Sequence, residues 1–322
     1  MDVRPSSFGL SASSGRMTLP LMRCAAIDIG SNTTRVLVAE PEAGQLRGVM
    51  DQRAFTRLGH GSGPDGTIGP QKVAEVADAV ATQVRLAEEL DADAIRIVAT
   101  AAMREAANRE DVTDEITRAC GLPVEILSEQ EEGRLAFVGA TRTLGHVVEG
   151  EVAVVDVGGG SSEIVLGSLG EGARRVSSFK IGSGSLTESF VSGDPPSAAE
   201  IRALREHVDA CFADVDVERP EQAVAVGGSA TSLRSLVGAV LEYETLERAI
   251  RVLTGDPVDT VAKRFELDPR RVRMLPAGVI VLEKISELLA CPLQIGKGAL
   301  RDGVILDLLN GSFEHTPLSA AR

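Results

Sequence analysis

A chain of 322 residues is long for one hydrophobic core and suits two domains of roughly 150 residues each. Apolar residues make up 43% and charged residues 25%, but the net charge is −14, and an acidic surface repels polyanions and argues against a nucleic-acid binder. With no Trp and one Tyr there is little aromatic surface on which bases could stack, so an anionic ligand needs local positive charge from arginines, a metal or backbone amides.

Residues 1–21 are rich in Ser, Gly and Pro and lack the apolar core of a signal peptide, which predicts a disordered extension. Strands are expected at 24–29, 34–39 and 46–55, the last two joined by a turn at Glu42-Ala43-Gly44. A Gly-rich loop over 57–69 precedes an amphipathic helix over 70–90, whose apolar positions recur at 3–4 spacing. A strand at 94–99, a helix over "TAAMREAANR", a helix at 110–120, a strand at 124–127 and a helix at 129–144 follow. Gly145 to Gly150 marks a boundary, giving an N-terminal domain 22–148 and a C-terminal domain 149–322. The second domain restarts with strands at 152–156, 162–167 and 173–179. Helices near 184–191 and 197–212, a strand at 222–226 and a mostly helical remainder with a strand at 293–295 and a last helix at 299–310 complete it. "GSGSLTE" (182–188) reads as a loop lining the cleft. Each half alternates strands and helices, the signature of an α/β sheet with helices packed on it.

The two halves begin alike. "AAIDIGSNTTRVLV" (25–38) and "AVVDVGGGSSEIVL" (153–166) align without a gap, Asp28 on Asp156 and Gly30 on Gly158, with Arg35 opposite Glu163. Gly at a strand end lets the chain turn so that the following amides converge on one small volume, an anion site of the kind phosphate occupies. This assigns phosphate contacts to Gly30, Ser31, Asn32 and Thr33 in the first loop and to Gly158, Gly159, Gly160 and Ser161 in the second. A third set, Gly228 and Ser229, opens a helix after a strand, where free N–H groups and the helix dipole favour an anion. Carboxylates beside a phosphate repel it unless a cation bridges them, so Asp28 and Asp156 point to Mg²⁺ or another hard divalent cation such as Mn²⁺. One such loop could be a plain strand-end turn; two in register, each opening a domain, are hard to explain that way. No G-x-x-x-x-G-K-[ST] motif is present.

These residues resemble a known family. Duplicated α/β domains with paired phosphate loops are similar to the ribonuclease H-like superfamily of actin, sugar kinases and chaperone ATPases. "DIGSNTTRVLV" (28–38), "ATAAMREAAN" (99–108), "VEILSEQEEGRLAFVGA" (124–140), "VVDVGGGSSEIVLG" (154–167), "GGSATSL" (227–233) and "LPAGVIVLEKI…GKGALRDGVI" (275–305) resemble, in order and combination, the exopolyphosphatase / guanosine pentaphosphate phosphatase family. The resemblance covers about residues 22–310 and fits its short, two-domain members.

It implies a cytoplasmic homodimer of duplicated actin-like domains with the active site in the cleft between them. The implied reaction is metal-dependent removal of terminal orthophosphate from inorganic polyphosphate, or alternatively hydrolysis of the 5′ γ-phosphate of guanosine pentaphosphate in the stringent response. By position, Glu132 matches the carboxylate that orients or deprotonates water, and Arg104 an arginine that grips the terminal phosphate. Asp156 and Glu163 match acids of the cation site, which sets Arg35 apart from metal work. From the residues alone, Glu132 reads as a solvated helix-face carboxylate and Arg104 as a surface helix residue or an ion-pair partner of Glu105; the resemblance reverses both. Lys180, Lys297 and Arg301 are candidates for a longer positive track. The competing classes are a kinase of the same superfamily, disfavoured by the "EEGRL" segment, and a non-catalytic phosphate sensor, which needs no general base. The four cysteines, Cys24, Cys120, Cys211 and Cys291, are far apart, which predicts reduced, partly buried thiols. No apolar run approaches the ~20 residues of a membrane span.

Overall fold

The computed structural model describes residues 22–310 except 61, 62, 64 and 145–147; the extension expected over 1–21 lies outside them. The first half starts with a three-strand meander, β1 (Cys24–Ile29), β2 (Thr34–Glu42) and β3 (Gln45–Ala54), followed by α1 (Pro70–Glu89). Ala43 and Gly44 both have left-handed backbone angles, the two-residue turn that matches strand twist. Next come β4 (Ala94–Ala99), α2 (Ala101–Glu105), α3 (Arg109–Cys120), β5 (Val124–Ile126) and α4 (Glu129–Arg142). The second half repeats the plan with β6 (Val152–Val157), β7 (Ser162–Ser168), β8 (Gly172–Phe179), α5 (Ser183–Phe190), α6 (Ala198–Cys211), β9 (Gln222–Val226) and α7 (Gly227–Val237). It ends with β10 (Val240–Leu241), α8 (Tyr243–Gly255), α9 (Val258–Phe265), α10 (Pro269–Leu289), β11 (Leu293–Ile295) and α11 (Leu300–Leu309).

The duplication expected from the paired turns is built into both sheets. The first runs β3-β2-β1-β4-β5 and the second β10-β11-β9-β6-β7-β8, so β8-β7-β6-β9-β11 has the order of the whole first sheet. In each, the first three strands are antiparallel and the next two parallel to the central one. Register matches as well: Asp28 stands opposite Arg35 and Asp156 opposite Glu163. The pairing of the second strand with the third slips at Val38/Ala39 in one sheet and at Leu166/Gly167 in the other, a shared bulge at matched positions.

Two differences from the expected elements have local causes. The helix over "TAAMREAANR" is only α2, because the Asn108 side chain leaves the helical path to bond Ile68, accepting from its N–H at 2.8 Å and donating to its carbonyl at 3.0 Å. "GSGSLTE" is the start of helix α5 rather than a loop, because Ser183 and Gly184 donate their amides to the carbonyls of Gly158 and Gly159, which supplies partners that an unsatisfied helix start requires. Of the thiols, Cys211 is exposed.

Each half lends a helix to the other. Leu300, Val304, Ile305 and Leu308 of α11 are buried with Cys24, Ala26 and Leu37 of the first sheet, while Phe137 and Ala140 of α4 are buried with Val152, Val154 and Val165 of the second. The two helices cross where both lack side chains. A Cβ on Gly139 would lie 2.0 Å from the Ala299 carbonyl oxygen, and one on Gly303 would lie 1.9 Å from that of Leu135. Gly139→Ala therefore forces the crossing apart and should lower stability by about 1–3 kcal/mol, read as a shift of the urea midpoint; an unchanged midpoint would show that the close approach contributes nothing.

Candidate active site

The matched turns meet at the cleft. In each, the glycine after Asp-x donates its amide back across the loop, Gly30 to Thr33 O at 3.0 Å and Gly158 to Ser161 O at 2.9 Å. The loops touch so closely that a Cβ on Gly159 would lie 2.4 Å from Asn32 Nδ2, and one on Gly160 would lie 2.6 Å from Ser31 Oγ. Side-chain-free backbone at these positions is thus a packing requirement. Among the described residues, the amides of Gly159 and Gly160 donate to no backbone carbonyl, which leaves them for a ligand. The third loop begins at Gly227, where a Cβ would lie 2.1 Å from Asp156 Oδ1. Gly228 lines the same cavity, whereas Ser229 turns its hydroxyl inward to Val157 O at 2.9 Å.

A cavity of ≈ 120 Å³ joins the three loops. Asp28, Asp156, Glu132 and Glu163 all reach it. Glu132 comes from the first turn of α4, whose start is capped by Ser128 Oγ accepting from Glu131 N at 3.2 Å. Arg104, at the end of α2, donates from Nη1 to Glu132 Oε2 at 2.5 Å and to Leu127 O at 3.0 Å. Glu163 Oε1 accepts from Ser178 Oγ at 3.1 Å.

The electrostatics are those of like charges held together away from water. Burial pushes the Glu132 carboxyl up to about 7; Arg104 works against this and Asp28 and Asp156 add to it. Burial and then Asp28 push Asp156 up to about 6. Glu163 is raised well above the ordinary range by burial and by Glu132 and Asp156, and Asp28 is raised by burial despite Arg301 and Arg35.

The sequence reading missed much of the positive charge. Arg35, which the sequence sets apart only from metal work, lines the cavity; its Nη2 lies 3.2 Å from Asp51 Oδ2, its buried Nε has no hydrogen-bond partner, and burial lowers its pKa. Arg271 of α10 lines it too, its guanidinium lying over the third loop, where a Cβ on Gly228 would be 2.6 Å from Nη2. Its Nε is also buried without a partner, and burial, then Arg53 and Arg35, push its pKa down to about 10. Arg271 stands one turn before Leu275 and two before Gly278 on the buried face of α10, a position that the helical spacing alone could have revealed. Of the three cations considered for a track, Arg301 lines the cavity but is neutralised by Asp51 at 2.8 and 3.1 Å. Lys180 forms an exposed bridge to Glu105 at 2.7 Å, and Lys297 is exposed and outside the cavity lining.

Among the described residues, no group of three or more His, Cys, Asp or Glu side chains is spaced to enclose a metal ion. The residues nevertheless suit a hydrated divalent cation, which needs only one or two protein carboxylates and keeps its waters. Asp28 Oδ1 is buried and accepts no hydrogen bond, and four mutually repelling carboxyls share one cavity. Cationic guanidinium groups, open amides and acids thus share one small volume.

The fold and site define a class: a two-domain, actin-like protein with a cavity between duplicated halves. The model of the Ppx/GppA phosphatase family matches residues 37–312, and the chain belongs to that family. It is 30% identical to "Exopolyphosphatase 2" of Mycobacterium tuberculosis over 90% of this chain and 99% of that one. It is 29% identical to a guanosine-5'-triphosphate,3'-diphosphate pyrophosphatase of Aeromonas salmonicida over 90% of this chain and 60% of that one. The crystal structure of the Aquifex aeolicus Ppx/GppA family member superposes with a TM-score of 0.77 at 30% identity, covering 92% of this chain and all of that one. Among the described residues, no helix is long and apolar enough to cross a membrane.

A carboxyl whose native pKa is raised binds more protons folded than unfolded between its ordinary value of 4.5 and about 7, so stability falls as pH rises through that window. In chelator, the wild-type melting temperature should fall from pH 5 to pH 8, and Glu132→Gln should remove several degrees of that fall. A variant whose pH dependence parallels wild type would show that Glu132 is not held under this strain.

Proposed function

We propose that the chain is an exopolyphosphatase that removes orthophosphate from the ends of inorganic polyphosphate with Mg²⁺ or Mn²⁺. The observation that supports this most is the Glu132–Arg104 pair at the edge of a cavity floored by two matched amide loops. Hydrolysis of a phosphoanhydride requires a water in line, neutralised charge on the phosphoryl group and a stable leaving group. Glu132, with Oε2 held by Arg104, takes the proton of the attacking water. Its raised pKa brings it near neutral pH, where a general base is most effective. The water oxygen bonds the terminal phosphorus, the bridging P–O bond breaks, and the shortened chain leaves with the electron pair. Arg104 and the amides of Gly159 and Gly160 hold the terminal phosphoryl oxygens, with Arg35 and Arg271 over the remaining charge; such preorganised donors act most strongly where charge develops. Asp156 and Glu163, with Asp28 near by, would hold a divalent cation, which when bound would supply neutralisation of phosphate charge. The cytoplasmic, homodimeric state implied by the resemblance belongs to the same proposal.

Phosphate release from long polyphosphate, with Mg²⁺, tests the reading; no release with any cation would overturn it. Glu132→Gln should lower kcat by roughly 10²–10⁴-fold with KM little changed, since it removes the base and keeps the polar contacts. Arg104→Ala should raise KM and lower kcat together, because it loses charge-assisted hydrogen bonds in ground and transition state alike. Asp156→Asn and Glu163→Gln should raise the Mg²⁺ concentration needed for half-maximal rate. Glu132→Gln turning over within a few-fold of wild type would exclude it as the base.

A further inference from the structure

The segment around Glu132 holds more charge than the proposed reaction uses. In Glu131-Glu132-Gly133-Arg134-Leu135, Leu135 is core. Gly133 is a close approach, since a Cβ there would lie 2.6 Å from Val176 Cγ1 of β8. Glu131 and Arg134 lie outside the lining of the catalytic cavity and bond each other: Arg134 Nε and Nη2 each donate to the Glu131 carboxylate at 2.8 Å. Arg134 Nη2 also donates to Asp307 Oδ1 of α11 at 3.0 Å. The second oxygen of Asp307 accepts from Arg96 Nη1 of β4 at 3.1 Å, and Arg96 Nε donates to Glu125 Oε2 of β5 at 2.9 Å. Alternating charges thus run from the first sheet, through α11, to the first turn of α4.

The middle of this chain is buried. The side chains of Arg96 and Asp307 are each 7% exposed, and their neighbours along β4 and α11, Ala94, Val98, Val304 and Leu308, belong to one apolar cluster. Stability is a weak reason for charge there, because apolar side chains of similar volume usually do as well in such a seam. What the ions add is direction: a carboxylate takes a guanidinium on each oxygen at a fixed distance and angle. The two arginines that Asp307 joins belong to the elements that carry the reacting pair. Arg134 is two residues beyond Glu132 on α4, and β4 leads directly into α2, which ends at Arg104 and Glu105. Farther along, α4 packs on the second sheet through Phe137 and Ala140; Asp307 ties its first turn back to the first.

We propose that Asp307 is a positioning residue for the reaction. With one oxygen on α4 and the other on β4, it fixes the first turn of α4 and so holds Glu132 where Arg104 and the attacking water meet it. The inference rests on reading Glu132 as the general base of a phosphoanhydride hydrolase. A misplacement of about 1 Å at a reacting group can cost roughly 10²-fold in rate, so a slackened tie is felt in turnover. Arg104 keeps its own anchor on the Leu127 carbonyl, so its hold on the terminal phosphate stays.

The test is a double-mutant cycle on polyphosphate hydrolysis with Mg²⁺. Asp307→Asn keeps the size of the side chain and leaves each arginine another carboxylate, Glu125 for Arg96 and Glu131 for Arg134. It should lower kcat by about ten-fold with KM within two-fold of wild type. In the Glu132→Gln background the same substitution should cost less than two-fold, because no base is left to place. Arg134→Met, at a side chain 42% exposed, cuts the tie on the α4 side alone and should show the same pattern; it decides the matter if Asp307→Asn fails to fold. Equal losses in both backgrounds would make the role merely structural and overturn the proposal, as would a loss carried by KM. Wild-type turnover with Asp307→Asn at the wild-type kcat overturns this proposal alone. Wild-type protein that releases no phosphate from polyphosphate overturns the hydrolase reading and this proposal with it.

Discussion

Four carboxylates that cannot all be charged without help are the constraint around which this protein is arranged. Asp28, Asp156, Glu132 and Glu163 are raised first by burial and then, for all but Asp28, by one another. An ensemble of this kind costs stability, since buried charge without a partner is expensive. It persists where the surrounding fold over-determines it and a bound charge can relieve it. The neighbouring guanidinium groups of Arg35 and Arg271 carry the opposite strain, being buried with an unpartnered nitrogen each. A phosphate with its cation, as proposed, would satisfy both sets at once.

The duplicated fold explains how such a set is assembled. A strand pair, a glycine turn and a bulge at matched positions place one acid at the end of each central strand. Across the strand pair, the first copy holds Arg35 and the second Glu163. Identical copies would give a symmetric site. Exchanging the cross-strand residue makes one side suited to anions and the other to a cation, which a phosphoanhydride with its metal requires. The crossing of α4 and α11 fixes the halves relative to each other: Glu132 starts the helix that packs on the second sheet, and Arg301 starts the one that packs on the first. Neither half alone presents the site.

Much of this was legible in the sequence because the signals were local. The Asp-x-Gly turns carry their own geometry in their glycines, the strand and helix periods are strong, and the motif around Glu132 is compact. What was not legible depended on distant contacts. Arg271 reads as one more charge in a basic helix start until the helix is seen to turn that face inward onto Gly228. Arg35 carries no site role in the sequence beyond standing apart from metal work, because only the strand pairing shows that it shares a cross-strand position with Asp28. Only the start of α5 reads as a Gly-Ser loop, because its first amides are satisfied by carbonyls of another loop.

The central claim is that the acids of the cavity hold protons in the absence of a cation and give them up to one. Mg²⁺ binding must then release protons, because ligands that coordinate a metal do so deprotonated. Calorimetric titration of the wild-type protein with Mg²⁺, in two buffers of different ionisation enthalpy, counts those protons directly. The account predicts net release near pH 6 that shrinks as the pH is raised to 9 and that is reduced in Asp156→Asn. Mg²⁺ binding with no proton release at pH 6, or release that Asp156→Asn leaves unchanged, would contradict it.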